Sequence, residues 1–267
     1  ANSVHYIFDC TNNGGGTENQ KWYNELPNLV GASAQGSEKL FGKSFMSGIN
    51  NQQLIAEKFA HIVSCNTHSL AAILQTFSNG NFKQIDHADF VIVRRSEDIG
   101  NHQRLVSANV VARHLDPVLG THHSIDVNDL FDTIDEVVKL TSSDVTTPSQ
   151  LMHGVRFNLT LKEDIDLTEI ERRIAKSPLI ATTTKFDSNV IFERGRRLGF
   201  QGRIYSHAVV VINNLLINGN NVMGWAFIPQ EGNTLISTLH SFLLQTNNPN
   251  EQETILEISE ELTQRTW

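Results

Sequence analysis

Cys65 lies where an apolar segment that ends at Val63 meets a second apolar segment, the run SLAAILQTF. The second run has helical spacing, so the thiol is expected at the first turn of a helix. Unpaired backbone N–H groups and the positive end of the helix dipole both favour a thiolate there. The position therefore suggests a nucleophile, although a buried structural cysteine fits the same pattern. Cys10, inside the strand-like run VHYIFDC, is predicted to be such a structural cysteine.

A thiolate nucleophile usually works with a histidine that exchanges its proton near neutral pH. The chain has 11 histidines, and those in informative surroundings are His68, His122, His123, His153 and His207. His153 precedes the alternating run GVRFNLTLKE, where a rigid strand could direct its ring into a cleft. Taken singly, each of the five fits a surface or satisfied core position better than a catalytic one, so the partner of the thiol stays open.

Arg94 and Arg95 end an apolar run, ADFVIV, that is typical of a buried strand. A phosphate or a carboxylate would supply the acceptor that two guanidinium groups require. Neighbouring side chains on a regular strand point to opposite faces, so both can reach one anion only if the strand breaks. Ion pairs with Glu97 or Asp98 are the alternative.

Several other classes of function lack support in the sequence. The adjacent His122 and His123 have no third ligand at a useful spacing, so no metal site is predicted. No G-x-G-x-x-G motif follows a strand-like run, so the chain as given has no dinucleotide fingerprint. The net charge of −8 argues against nucleic-acid binding, and no apolar run approaches the ~20 residues of a membrane helix. With only two cysteines, reduced thiols and a cytoplasmic location are expected.

The order of the helical and alternating patterns predicts an α/β plus α+β fold. A remnant of a Rossmann-type parallel sheet would be followed by a catalytic domain with a mostly antiparallel sheet flanked by helices. The run INGNNV predicts a β-hairpin turn, and Thr168 with Glu171 predicts a capping box. The stretch 96–124 is predicted to be irregular, as functional or partner-binding loops are. Strands are predicted at 4–9, 88–95 and 154–163, and helices at 69–79, 127–140 and 231–247.

Six segments carry a resemblance to a known family. The segments FDCTNNGGG, VSCNTHSL, VIVRR, THHSIDV, TTPSQLMHGV and PQEGNT resemble, in this order, the archaeal-type (type II) glyceraldehyde-3-phosphate dehydrogenases. The resemblance covers nearly the whole chain. It implies that 1–64 is the C-terminal part of a Rossmann-like dinucleotide-binding domain, 65–230 the catalytic domain, and 231–267 a helical segment packing back on the nucleotide domain. The first Rossmann half, roughly 70 residues, would precede Ala1.

The resemblance also implies roles for individual residues. Cys65 would attack an aldehyde, and His153 would take the thiol proton and assist the departure of hydride. Asn66 would lie beside the thiol. The cofactor, NAD or NADP, would contact Thr11 and Gln230. The phosphate of the substrate or the attacking inorganic phosphate would be held by Thr67, Arg94, Arg95, His122 and His123.

The activity implied is the phosphorylating oxidation of a phosphorylated aldehyde through a hemithioacetal and a thioester. A homotetramer is expected, and a companion chain could supply the missing N-terminal half. His68 and Ser69 depart from the resemblance, because the archaeal branch usually has Thr and Gly there. Two alternatives remain: a non-catalytic relative that acts as an assembly or interaction module, and a related semialdehyde dehydrogenase whose two arginines bind a carboxylate.

Overall fold

The computed structural model describes residues 3–11, 14–96, 111–149, 151–263 and 267. Its strands are β1 Tyr6–Asp9, β2 Gly31–Gln35, β3 Lys43–Phe45, β4 Phe59–Ile62, β5 Ile85–Arg94, β6 Val111–Arg113, β7 Leu140–Thr146, β8 His153–Leu161, β9 Ile180–Thr183, β10 Ala208–Val211, β11 Leu216–Asn218 and β12 Asn221–Ile228. Its α-helices are α1 Gly15–Tyr23, α2 Cys65–Phe77, α3 His122–Asp132, α4 Leu167–Lys176, α5 Ser188–Gly195, α6 Leu235–Gln245 and α7 Glu251–Leu262.

The first sheet has the strand order β1-β2-β4-β3, and all its pairings are parallel. Helix α1 connects β1 to β2, as parallel strands require a crossover. Helix α6 returns from the far end of the chain to pack against β2 and β4. This arrangement confirms the predicted remnant of a Rossmann-type sheet.

The second sheet has the order β6-β7-β5-β8-β12-β10-β9, with β11 paired to β12. Two pairings, β5 with β7 and β9 with β10, are parallel. The other pairings are antiparallel, and the hairpin between β11 and β12 turns at Asn218–Asn221 as predicted. The predicted fold class, with a mostly antiparallel second sheet flanked by helices, is therefore confirmed.

Helix α2 is buried against the second sheet, where it contacts β9, β10 and β12. Its apolar residues Leu70, Ile73, Leu74 and Phe77 are fully buried, and the ring of Phe77 lies 5.1 Å from that of Phe157 in β8. Each such side chain stabilises the fold by about 1.5–3 kcal/mol relative to its exposed state. The helix that carries Cys65 is thus fixed in place by its packing.

Some predicted elements differ from the structure. The predicted helix 127–140 is α3, which begins at His122 and ends at Asp132 because Asp135 takes a left-handed conformation (φ 57°) that a helix cannot contain. The start of α4 is capped by Asp166, whose carboxylate accepts from Glu169 N–H, so the predicted capping box at Thr168 is wrong. An aspartate is a strong N-cap residue, and it lies two residues earlier.

The predicted irregular stretch 96–124 contains β6 and the start of α3, so it is shorter than expected. Residues 97–110, including the candidate ion-pair partners Glu97 and Asp98, lie outside the described residues. The prediction for Cys10 is also wrong, because this residue follows the end of β1 and is exposed. In the described part of the chain, no helix combines the length and the apolarity needed to cross a bilayer.

Candidate active site

Cys65 is the first residue of α2, and Ser64 caps the helix. The Ser64 hydroxyl oxygen accepts from the backbone N–H of Thr67 at 3.3 Å and pairs with the Thr67 hydroxyl at 2.9 Å. Cap residues such as serine satisfy an N–H group that the helix leaves unpaired. The thiol of Cys65 is half-buried, whereas Thr67 is fully buried. The predicted helix start beneath the thiol is therefore present.

A cavity of about 430 Å³ opens beside Cys65. It lies between the segments that follow β2 and β4 of the first sheet and the carboxyl end of β5 in the second sheet. Its lining residues are Gly36, Ser37, Lys39, Ser64, Cys65, Asn66, Arg94, Arg95, Ser96, His122, His123, Asp126, His153 and Gln230. Eight of the ten residues predicted for the site thus lie around one cavity, and only Thr11 and Thr67 are not among its lining residues.

The end of β5 places both arginines at this cavity. Arg94 is the last residue of the strand and Arg95 follows it, so the alternation of side chains is broken between them. Arg94 pairs with the buried Asp144 of β7 at 3.4 Å, and Arg95 pairs with Glu231. The prediction that both guanidinium groups reach one cleft is supported by their common place in the cavity lining, although each already has a carboxylate partner.

His153 begins β8 and is buried beside the end of β5. Its Nδ1 accepts a hydrogen bond from the backbone N–H of Arg95 at 3.0 Å. Because Nδ1 is an acceptor here, the neutral ring carries its proton on Nε2. The ring can therefore donate from Nε2 towards an oxygen or sulfur atom in the cavity.

His122 and His123 open α3 at the other side of the cavity, with ring centroids 3.9 Å apart. Burial, followed by the charges of His122 and Arg94, lowers the pKa of His123 to about 2, and burial also lowers the pKa of His122. Nε2 of His123 is 3.4 Å from the side-chain amide nitrogen of Asn66, while Nδ1 has no hydrogen-bond partner among the described residues. Both rings are thus neutral near pH 7.

Asp126 lies beside His122 and His123 and was not predicted from the sequence. The ligand atoms of His122, His123 and Asp126 lie within 4.8 Å of one another, a grouping that could hold a metal ion. The spacing of Asp126, four residues after His122 on one helix, is the signal that could have shown it. However, the Asp126 carboxylate pairs with Lys39, and Arg94 lies near enough to lower the pKa of His123. These surroundings favour an anion over a cation.

Asn233 is a second residue that the sequence reasoning missed. Its buried side-chain amide donates to the backbone carbonyl of Cys65 at 2.9 Å and to that of His207 at 3.0 Å. It belongs to the PQEGNT segment, in which only Gln230 was predicted to be functional. The segment thus fixes the helix start as well as lining the cavity through Gln230.

Thr11 lies apart from the other predicted residues. It is exposed after β1, and its N–H and its hydroxyl both donate to the Asp9 carboxylate. Nearby, the carboxylate of the buried Glu38 accepts from the N–H groups of Gly14 (2.7 Å) and Thr17 (2.9 Å). The glycine-rich start of α1, which could otherwise bind a phosphate, therefore already holds an anionic group of the chain itself.

Comparison with known proteins finds similar proteins that are named glyceraldehyde-3-phosphate dehydrogenase. No family model matches the chain. A glyceraldehyde-3-phosphate dehydrogenase of Sulfolobus acidocaldarius is 28% identical over 233 residues, which are 84% of this chain and 65% of that protein. One of Saccharolobus islandicus is 25% identical over 232 residues, again 84% and 65%, and one of Methanoregula boonei is 25% identical over 252 residues, 92% and 70%.

The chain thus spans about two thirds, 65%, of the length of the first of these curated relatives. The resemblance inferred from the motifs is confirmed: over most of its length, this chain is similar to the glyceraldehyde-3-phosphate dehydrogenases of archaea.

Proposed function

We propose that the chain carries the catalytic thiol site of an NAD(P)-dependent, phosphorylating glyceraldehyde-3-phosphate dehydrogenase. One observation carries the proposal: a single cavity holds a cysteine at a helix start, a histidine, two arginines and two neutral histidines. The similarity to archaeal proteins of that name supports the choice of substrate.

In the proposed reaction, the thiolate of Cys65 attacks the carbonyl carbon of the aldehyde and forms a hemithioacetal. The helix start favours the thiolate, whose proton goes to solvent, and the Nε2–H of His153 stabilises the resulting oxyanion. Uptake of the thiol proton by His153, which would need the other tautomer, stays a prediction. Loss of a hydride from the former aldehyde carbon leaves a thioester. Inorganic phosphate then attacks the thioester, forms an acyl phosphate and releases the Cys65 thiolate, which is a good leaving group.

The anionic groups of the substrates would bind among Arg94, Arg95, His122 and His123. Arg94 is only weakly held, with 3.4 Å between its guanidinium nitrogen and Asp144, so a phosphate could draw it away. Nδ1 of His123, which has no hydrogen-bond partner among the described residues, supplies a donor in the neutral ring. Thr67 stays a prediction as a phosphate ligand, although its hydroxyl is engaged by Ser64.

The described residues fit the nicotinamide end of the cofactor. Gln230 and Asn66 bring side-chain amides to the cavity, and the buried Oδ1 of Asn66 has no hydrogen-bond partner within the described ranges. They do not fit its pyrophosphate, because Glu38 occupies the glycine-rich start of α1. When bound, NAD or NADP would accept the hydride. Thr11 stays a prediction as a cofactor contact.

The proposed division of the chain follows the two sheets. Residues 1–64 hold the parallel sheet, 65–230 the second sheet, and 231–267 the helices that return. Support for the last part comes from α6, where Gln245 donates to the Glu57 carbonyl and Thr238 accepts from Gln35. The homotetramer, the companion chain and the cytoplasmic location stay predictions.

The decisive experiment is an assay of glyceraldehyde 3-phosphate oxidation with NAD and with NADP, each with and without inorganic phosphate. The expected result is oxidation that requires phosphate and is abolished in Cys65→Ser. Activity on aspartate semialdehyde alone would instead favour a semialdehyde dehydrogenase. A folded protein that is inactive with NAD and with NADP, and whose Cys65 reacts no faster than Cys10, would favour the non-catalytic module.

A further inference from the structure

His68 is a buried histidine that the proposed reaction does not use. It lies in the first turn of α2, three residues after Cys65, and is fully buried. A polar ring at such a position is costly unless its nitrogen atoms are hydrogen-bonded. Both of its ring nitrogens have partners, and these partners come from different parts of the chain.

The first partner is the backbone carbonyl of Ser64, the residue that immediately precedes the thiol. This oxygen accepts the helical N–H of His68 at 2.9 Å and also the ring Nδ1 of the same residue at 3.1 Å. A carbonyl can only accept, so Nδ1 carries the proton and Nε2 does not. The carbonyl of Ser64 and the N–H of Cys65 belong to one planar peptide unit. The ring of His68 therefore helps to fix the backbone from which the thiol projects.

The second partner is Ser237 of α6. Its hydroxyl lies 2.8 Å from Nε2 of His68 and accepts the backbone N–H of Ser47 at 3.0 Å. Because Nε2 is unprotonated, the serine hydroxyl donates to the ring. Since α6 packs on β2 and β4, His68 joins the start of the catalytic helix to the elements that cover the first sheet.

The ring is held in its neutral form. Burial lowers the pKa of His68 to about 4, and the ring is stacked on that of His207, 5.0 Å away and 14° from parallel. His207 is also fully shielded, and burial lowers its pKa well below the ordinary value. The hydrogen-bond arrangement of His68 therefore stays the same across the range in which a dehydrogenase would work.

We propose that His68 is a positioning residue for Cys65, which anchors the peptide unit before the thiol through Nδ1 and ties it to α6 through Nε2. The inference rests on the proposed role of Cys65 as nucleophile. It assigns to His68 no contact with substrate or cofactor. The His68 ring acts on the direction and the environment of the Cys65 sulfur atom.

Two conservative variants separate the two ring contacts. In His68→Asn, the side-chain amide nitrogen can take the place of Nδ1 and donate to the Ser64 carbonyl. In His68→Gln, the longer amide reaches the position of Nε2 and can contact Ser237 only. His68→Leu removes both contacts at similar volume. His207→Leu is the matched control, because it removes the equally buried neighbouring ring and leaves both contacts of His68 in place.

The measurement is the rate constant for alkylation of Cys65 by iodoacetamide between pH 6 and 9, followed by peptide mass spectrometry with Cys10 as the internal reference. We expect His68→Asn and His207→Leu to stay within about threefold of the original protein. We expect His68→Gln and His68→Leu to react about tenfold more slowly at pH 7, the scale of a helix-terminus interaction. Urea unfolding shows which variants are folded.

The proposal is overturned if folded His68→Gln alkylates as fast as the original protein, or if His68→Asn is as slow as His68→Gln. The comparison of these two polar variants stands even where His68→Leu does not fold. Alkylation requires neither aldehyde nor cofactor. A protein with the expected alkylation pattern but without dehydrogenase activity would thus count against the proposed function and leave the role of His68 intact.

Discussion

The backbone N–H of Arg95 donates to Nδ1 of His153 over 3.0 Å. The two residues meet because β5 and β8 are antiparallel neighbours, with Val93 opposite Gly154 at the end of the ladder. The sheet therefore places a candidate anion-binding residue and the candidate catalytic histidine one hydrogen bond apart. It also sets the tautomer of the ring, since Nδ1 must stay unprotonated to accept this bond.

Substitution of His153 separates this structural role from the chemical one. His153→Ala and His153→Asn are both expected to lower turnover by ~10²- to 10³-fold, the usual effect of removing one donor to an oxyanion. Only His153→Ala leaves the Arg95 N–H without an acceptor, so it alone should lose about 1–3 kcal/mol of unfolding free energy. Steady-state kinetics and urea unfolding measure the two effects. A loss of turnover below tenfold in both variants would assign stabilisation of the oxyanion to another group.

The two cysteines should differ in reactivity although both are accessible. Cys10 is exposed and not at a helix start, whereas Cys65 lies at the N-terminus of α2. We expect iodoacetamide to label Cys65 about tenfold faster than Cys10 at pH 7. Cys65→Ser should abolish both this fast labelling and aldehyde oxidation, while Cys10→Ser should leave both unchanged. Equal labelling rates of the two thiols would show that the helix start does not activate Cys65.

The start of a helix at Cys65, just after the apolar segment that ends at Val63, could be predicted from the sequence. Apolar periodicity and a capping serine are local signals. The place of Arg94 and Arg95 at a cleft was also foreseeable, since two guanidinium groups at the end of an apolar strand need an acceptor. Their actual partners were not, because Asp144 and Glu231 approach from β7 and from the segment before α6. Such pairings depend on strand order and register, which a single sequence does not specify.

Other features of the site depend on packing between the two sheets. Lys39 reaches the cavity from the loop after β2, and no motif distinguishes it in the sequence. The neutral state of His68 follows from burial, which periodicity predicts only for apolar residues. The end of α3 was predicted too late because Val137, Val138 and Leu140 continue an apolar pattern beyond the left-handed Asp135.

Buried neutral histidines make the stability of the fold depend on pH. The pKa of His68 is about 4 in the folded chain against 6.5 for the ordinary group, so the unfolded chain binds more protons between these values. The free energy of unfolding should therefore fall as the pH is lowered through this range, by about 2 kcal/mol for His68 alone between pH 7.5 and pH 5. His207 adds a change of the same sign.

Urea unfolding of the original protein and of His68→Leu at pH 7.5, 6 and 5 measures this dependence. The variant should be less stable at pH 7.5 but lose less stability on acidification, so the two curves should converge. Parallel curves for the original protein and His68→Leu would mean that the pKa of His68 is nearly the same in the folded and the unfolded chain.

Anion binding in the cavity should take up protons. Burial is the largest cause of the lowered pKa values of His122 and His123, so both rings are neutral in the free protein near pH 7. A bound dianion favours their charged forms and raises both pKa values towards neutrality. Sulfate, which does not titrate in this range, should therefore bind about three- to tenfold more tightly at pH 6 than at pH 8.

Calorimetric titration with sulfate in buffers of different ionisation enthalpy measures both the affinity and the number of protons taken up. His123→Gln keeps a neutral donor but cannot be protonated, so it should bind sulfate with a weaker pH dependence. Arg94→Gln should weaken binding at every pH, because its charge does not change between pH 6 and 8. A pH-independent affinity in the original protein would mean that the anion contacts the arginines alone.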